Sequence, residues 1–317
     1  MGFPQPILNV LKAKGISQPT PIQTQCLPVI LSGSDMIGVS STGSGKTLAF
    51  VFPLIMIALQ EEIMMPILSG EGPFGLIISP SRELAVHTHQ LIAQFLASMG
   101  DDFPYPELRS MLCIGGVNMK AQLEIMKMGV HIVVATPGRL KDILGKRKMN
   151  LDQCRYLTLD EGDRLLGLGF GDDIRKIISY FKGQRQTLVF YATMPAEIQN
   201  FAMTGLVKPV LVNVGIRAGS ANLNVLRVKS VEENKKNEYL FSYLQKTPSA
   251  VLIFCRNKTS VDDIHLQLLQ KGIDAAAIHG YMDQEEREYA ILSFGAGKKE
   301  VLVATDVASK GLDFPDI

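Results

Sequence analysis

The run Gly38-Val39-Ser40-Ser41-Thr42-Gly43-Ser44-Gly45-Lys46-Thr47 constrains the fold of this chain more than any other stretch. Residues 35–39 before it are suited to a short strand, and residues 48–59 after it form an apolar stretch of helical length. A glycine-rich turn between a strand and a helix aims backbone N–H groups and the positive helix end at one place, which suits polyphosphate. Lys46 then supplies a point charge for the terminal phosphates and Thr47 a hydroxyl ligand for Mg²⁺. Ser41, Thr42, Gly43, Ser44 and Gly45 line the cradle. The usual pattern opens with glycine, and this chain has Ser40 there. A tight Gly/Ser turn leading into a core helix is the plainer reading; the strand-turn-helix context favours the phosphate cradle.

At 317 residues the chain exceeds one ordinary domain of about 100–200 residues and fits two. Apolar residues make up 46% of it and charged residues 20%, the balance of a globular protein. A net charge of +1 announces no nucleic-acid partner in bulk, so any such partner must be gripped by local Arg, Lys and backbone groups. Cys26, Cys113, Cys154 and Cys255 include no Cys-x-x-Cys pair and are expected to be reduced structural thiols. Residues 1–10 lack a basic segment followed by an apolar run, so no secretory signal is expected. Residues 48–59 contain Pro53 and fall short of the roughly 20 needed to span a membrane. A soluble, intracellular protein with no membrane association is the expectation.

Short apolar segments alternate with helical ones along both halves. Strands are expected at 76–79, 109–114, 132–135, 156–159, 187–191 and 210–214, with helices at 22–31, 119–128, 138–144, 174–181 and 195–203 between them. Residues 61–75, rich in Met, Pro and Gly, read as a loop. Residues 215–222 carry little that can pack and form the expected linker, which divides the chain into domains at 1–214 and 223–317. Beyond it come strands at 225–228, 251–255, 275–278 and 301–304 and helices at 235–244, 261–270 and 285–294. This rhythm predicts α/β architecture, with parallel sheets covered on both faces and ligands at the strand C-terminal ends. Gln23, on the first turn of its helix after Pro19-Thr20-Pro21, either caps its own backbone or presents an amide to a planar base edge. His87 and His89, two apart on a helix, make a poor metal pair, and Lys146-Arg147-Lys148 reads as a solvated loop.

The polar motifs at strand ends, in order, resemble the DEAD-box ATP-dependent RNA helicase family. They are Gly15 to Gln23 ending in Pro-Thr-Pro-Ile-Gln, Ser40 to Thr47, Pro80-Ser81-Arg82-Glu83-Leu84-Ala85, Gly115-Gly116, Thr136-Pro137-Gly138-Arg139, Asp160-Glu161-Gly162-Asp163 and Tyr191-Ala192-Thr193. In the second half they are Leu252-Ile253-Phe254 with Lys258, Gln284-Glu285-Glu286-Arg287, and Ala304-Thr305-Asp306 to Gly311-Leu312-Asp313. Residues 71–75, 180–186 and 308–311 are similar to the Abstrakt-like subgroup. The resemblance implies two RecA-like domains of the P-loop NTPase class, the second incomplete, binding ATP, Mg²⁺ and RNA.

By this resemblance Gln23 reads adenine, Asp160 joins Thr47 in holding Mg²⁺, Glu161 polarises the attacking water, and Asp313 contacts the nucleotide. Lys46, Thr47, Asp160 and Glu161 carry catalysis. RNA falls to Arg82, Gly116, Thr136 and Arg139 in the first domain and to Gly280, Gln284, Arg287, Thr305 and Asp306 in the second, through sequence-independent backbone contacts. Asp163, Tyr191 and Thr193 couple the nucleotide to RNA. Two residues depart from the family pattern. Gly162 replaces Ala, an expected slight loosening of the turn; Tyr191 replaces a Ser whose hydroxyl bonds the last motif II aspartate, which puts coupling in doubt.

The subgroup further implies nuclear work in RNA processing or splicing with spliceosomal proteins, and a monomer. The arginine-rich sixth motif would lie beyond Ile317, and the adenine-stacking aromatic before Met1, Phe3 being better placed to anchor the first helix. The expectation is therefore that residues 1–317 alone bind nucleotide weakly and hydrolyse it slowly. Two rivals are an ATP-gated RNA clamp that unwinds weakly, supported by Tyr191, and a DNA helicase or other P-loop motor, which competition between RNA and DNA would separate.

Overall fold

The computed structural model describes residues 4–100, 105–192, 205–214, 229–246 and 250–305. The expected helix at 195–203, linker at 215–222 and strand at 225–228 lie outside the described residues, as do Phe3, Thr193, Asp306 and Asp313. The chain divides into two compact units, residues 1–219 and 220–317.

Unit 1 opens with helices α1 (Gln5–Ala13) and α2 (Pro21–Leu31), then β1 (Met36–Ser40) and α3 (Lys46–Met64). Next come β2 (Gly75–Ile78), α4 (Arg82–Ala97), β3 (Ser110–Cys113), α5 (Met119–Lys127), β4 (Ile132–Ala135) and α6 (Pro137–Gly145). The unit continues through β5 (Tyr156–Leu159), α7 (Gly162–Gly167), α8 (Gly171–Ile178), β6 (Gln186–Tyr191) and β7 (Val210–Val214). The seven strands pair in parallel in the order β3-β4-β2-β5-β6-β1-β7.

Five of these strands are buried along their whole length, which explains why their sequences run apolar without alternation. Their side chains split between two cores. Phe50, Leu54, Ile92, Phe95 and Phe190 pack on the face covered by α1 to α4. Val39, Leu140, Ile143, Leu165, Ile174, Val189 and Tyr191 pack on the other, under α6 to α8. Residue alternation along β6 therefore sends Phe190 to one face and Tyr191 to the face on which α7 lies.

α3 is longer than the apolar run suggests. The stretch expected to be loop from residue 61 stays helical through Met64, because Gln60, Glu61, Glu62 and Met64 are good helix formers that need no burial. The helix stops at Met65, in an extended conformation (φ −150°) as suits the residue before Pro66. At 19 residues α3 is long and apolar enough to cross a membrane by length and composition, but nine of its residues, Pro53 among them, lie in the core of unit 1. The six-residue α7 escaped sequence reading because it is too short to show a period. α8 begins earlier than expected, at Gly171, with Asp172 and Asp173 in the first turn complementing its positive end. All four cysteines are free and buried.

Unit 2 contains α9 (Lys236–Leu244) after a single 3-10 turn (Glu233–Lys235), then β8 (Val251–Cys255), α10 (Lys258–Gln270), β9 (Ala275–Ile278), α11 (Gln284–Gly295) and β10 (Val301–Thr305). Its strands are parallel in the order β8-β10-β9. Val261, Leu268 and Val303 form the core on one face, Ile278, Phe294 and Leu302 on the other.

Candidate nucleotide and RNA site

The strand order of unit 1 divides one sheet edge into two halves. β1 and β5, separated by β6, carry the glycine-rich loop and the acidic pair at their C-terminal ends. β2, β3 and β4 are adjacent and carry Arg82, Gly116, Thr136 and Arg139 on the segments that follow them. Within unit 1, the residues expected for nucleotide and for RNA thus gather on neighbouring parts of the same edge.

In the loop, Gly45 caps α3 with φ +88°, and a Cβ there would stand 2.6 Å from Gln23 Nε2. Only glycine combines that backbone with that approach. Gln23 is buried and uses both ends of its amide: Oε1 accepts from Thr20 N at 3.0 Å, and Nε2 donates to Gly45 O at 3.0 Å. The capping role is therefore real, and the same side chain braces the loop. Lys46 Nζ donates to the Ser40 and Ser41 carbonyls, each at 2.8 Å, and Ser40 Oγ meets Ser44 Oγ at 2.7 Å. Ser40, the departure from the usual opening glycine, thus pins the loop across its width.

Burial lowers the Lys46 pKa, and Asp160, Glu161 and Asp163 oppose that shift. Asp160 is only 3% exposed. Burial, then the Glu161 carboxylate, pushes its pKa up to about 7, against the pull of Lys46 and of the Glu161 N–H that it accepts at 3.0 Å. A buried carboxylate this costly to ionise fits a cation, which would restore its charge. Among the described residues no three His, Cys, Asp or Glu side chains gather into a preformed metal site. A magnesium ion here would take few protein ligands and rely on water and phosphate oxygens, as that ion commonly does.

Glu161 occupies the left-handed region (φ +48°), and its Oε2 lies 2.7 Å from Arg164 NH1. Both side chains are mostly buried, so the ion pair fixes the carboxylate. Sequence reasoning passed over Arg164; its i,i+3 spacing from Glu161 on a helix start was the available signal.

Tyr191 is fully buried, and its hydroxyl has no hydrogen-bond partner among the described residues. Burial, then the Asp163 charge, raises its pKa. Its ring lies where a side chain on Gly162 would go: a Cβ at 162 would stand 2.5 Å from Tyr191 Cε1 and 2.9 Å from Val189 Cγ1. Gly162 therefore leaves room for the tyrosine ring, which a side chain there would crowd.

On the other half of the edge, Arg139 donates to Val117 O through NH1 and NH2 and to Gln122 Oε1 through NH1, all at 3.2 Å, and so holds the 115–122 turn. Thr136 N-caps α6, and Arg82 opens α4 with its guanidinium beside Gly115. In unit 2, Gly280 is exposed and Thr305 ends β10, whereas Gln284 and Arg287 are buried, Gln284 Nε2 donating to Glu288 Oε1 at 3.1 Å. Of the two expected histidines, His87 is exposed and His89 Nε2 meets Ser110 Oγ at 3.2 Å. A cavity of about 630 Å³ beside Phe254 and Arg256 and another of about 680 Å³ beside Ile57 and Met64 touch neither the loop nor Asp160.

A parallel sheet with this loop, a Lys-Thr pair at the following helix and an acidic pair one strand away defines a P-loop nucleotide-binding protein. The chain belongs to the DEAD/DEAH box helicase family, whose model matches residues 20–201, while the helicase conserved C-terminal domain matches residues 235–317. It is 67% identical over 318 residues to the DEAD-box ATP-dependent RNA helicase 35 of Arabidopsis thaliana, covering 100% of this chain and 54% of that one. To the ATP-dependent RNA helicase abstrakt of Drosophila melanogaster it is 56% identical over 321 residues, covering 100% and 51%. The crystal structure of the RNA-helicase Prp28 from Chaetomium thermophilum bound to ADP matches with a TM-score of 0.59 at 30% identity, covering 100% of this chain and 74% of that one. The chain spans about half the length of the curated relatives it matches.

Proposed function

We propose that this protein is an ATP-dependent RNA helicase that couples RNA-stimulated ATP hydrolysis to local unwinding or remodelling of RNA. The observation that carries this reading is the buried Asp160, raised in pKa and opposed by Lys46, beside the glycine-rich loop. In this reading the loop amides from Ser41 to Gly45 cradle the phosphates and Lys46 neutralises the terminal ones. Gln23 keeps one amide hydrogen and one lone pair beyond its two observed bonds, enough to meet the adenine edge. Thr47 and Asp160 hold Mg²⁺, which supplies positive charge against the phosphate oxygens. Glu161, fixed by Arg164, polarises the water that attacks the γ-phosphate. By the family resemblance Asp313 is a further nucleotide-contacting residue.

Arg82, Gly116, Thr136, Arg139, Gly280, Thr305 and Asp306 meet the RNA backbone, with Gln284 and Arg287 behind them. Contacts of these types are independent of sequence, and those to 2′-hydroxyls favour RNA over DNA. Asp163, Tyr191 and Thr193 link the two activities. We further propose nuclear RNA processing, splicing included, by a monomer that meets spliceosomal proteins.

ATP turnover with Mg²⁺, measured beside release of a short RNA duplex, tests the reading. Single-stranded RNA should stimulate turnover, and duplex release should need ATP; absence of RNA-stimulated turnover in a protein that binds both ligands would sink it. The orphaned Tyr191 hydroxyl favours a second reading, an ATP-gated RNA clamp. Long-lived, ATP-dependent RNA retention with little duplex release would identify the clamp.

A further inference from the structure

The C-terminal edge of the second sheet presents an aromatic ring that neither the core nor the proposed backbone contacts use. β9 and β10 pair with Ile278 opposite Ala304, so His279 and Gly280 emerge beside Thr305. Between Gly280 and the start of α11 at Gln284 lies Tyr281, 79% exposed and, with Val207, the most exposed large apolar side chain among the described residues. The ring is nevertheless held. Lys258 Nζ stands 3.0 Å from its centroid, on one face, and Tyr281 N donates to His279 Nδ1 at 3.3 Å. His279 Nε2 in turn meets Asp262 Oδ1 at 2.9 Å, so α10 fixes both the ring and its backbone. Despite these contacts the ring remains 79% exposed.

We infer that Tyr281 is a stacking platform for one RNA base, a contact that rests on the RNA-binding reading above and deepens it. Of the residues around it, His279 and Arg287 are of types able to stack on a base, but both are buried, and the others named grip phosphate, sugar or backbone. A solvent-exposed ring held by a cation on one side offers the other to a π-face, and every base has one. The Lys258 ammonium adds attraction for the adjoining phosphate and draws ring electron density toward itself, which favours an electron-rich purine opposite. RNA recognition that is otherwise indifferent to sequence thereby gains a purine preference at one position. Base-aromatic stacking of this kind contributes about 10-fold or more in affinity.

The chain contains no tryptophan, so Tyr281→Trp introduces a single indole at the platform. The 317-residue chain, Tyr281→Ala, Tyr281→Phe and Tyr281→Trp are titrated with oligoadenylate, oligouridylate and an abasic oligonucleotide of equal length at low salt. The expected result is quenching of the indole by oligoadenylate but not by the abasic strand. Tyr281→Ala should lose about 10-fold in oligoadenylate affinity and nothing toward the abasic strand, while Tyr281→Phe keeps the parent's affinity and purine preference. Equal losses toward both strands, or an unquenched indole in a protein that binds oligoadenylate, would overturn the inference. A parent chain that binds none of the three removes the RNA reading itself, and the platform with it.

Discussion

Gly162 and Tyr191 occupy one another's space: the ring edge of the tyrosine at the end of β6 lies 2.5 Å from where a Cβ on the glycine at the start of α7 would stand. By the family resemblance each replaces another residue, and in this structure the absence of a side chain at 162 makes room for the ring at 191. The cost of overpacking a buried site, about 1–3 kcal/mol, exceeds the gain of up to ~1 kcal/mol that alanine offers over glycine in a helix. Gly162→Ala alone should therefore destabilise unit 1 by about 1–2 kcal/mol. Tyr191→Ser alone should cost about 3 kcal/mol by emptying a fully buried site. The double variant should lose less than the sum of the two, and denaturant unfolding of all four proteins measures that coupling. Strict additivity would show that the two side chains do not compete.

Gln23 joins two otherwise separate turns, the α2 start and the nucleotide loop. Gln23→Ala removes both hydrogen bonds and leaves the Gly45 carbonyl without that donor, at a cost of about 1–3 kcal/mol. Thermal stability and ATP affinity should fall together. Selectivity for ATP over GTP should fall as well if the amide also reads the base, and an unchanged ATP/GTP ratio would restrict Gln23 to bracing.

Arg164 should act on turnover rather than on binding. Arg164→Ala releases the Glu161 carboxylate from its ion pair, so kcat should fall, by up to the roughly 10²–10⁴-fold that a positioned general base contributes, while nucleotide KM changes little. Arg164→Lys, which keeps the charge but not the planar fork, should restore part of the loss. Steady-state kinetics of the two variants beside Glu161→Gln separate this from a folding defect.

Acid should weaken unit 1 through His131. The ring is fully buried between Phe74 and Glu62; Nδ1 accepts from Arg109 N at 2.8 Å, and Nε2 stands 2.9 Å from Glu62 Oε2. Burial lowers its pKa from 6.5 and outweighs the Glu62 carboxylate, which raises it. The unfolded chain then binds a proton that the folded one refuses, so stability from this group is complete above pH 6.5 and is lost as pH falls below it. Melting temperatures between pH 8 and pH 5 should fall more steeply for the parent than for His131→Gln; parallel curves would exonerate the histidine.

How much of this was readable beforehand depends on whether the signal was local. The glycine-rich loop, the strand-end acids and the alternation of apolar strands with helices are patterns within about ten residues, set by backbone geometry and side-chain period, and the sequence by itself determined them. It also determined the family, through the order of its motifs. α7, and the extension of α3 to Met64, were not legible, since one is too short for a period and the other rests on helix propensity beyond its buried face. Tertiary structure alone decided which ring fills the space above Gly162, that Gln23 both caps and braces, and that Asp160 is buried enough to resist ionisation. The ring above Gly162 and the brace from Gln23 to Gly45 depend on contacts between residues 22 or more positions apart, and no local pattern encodes which distant atoms arrive at a given surface.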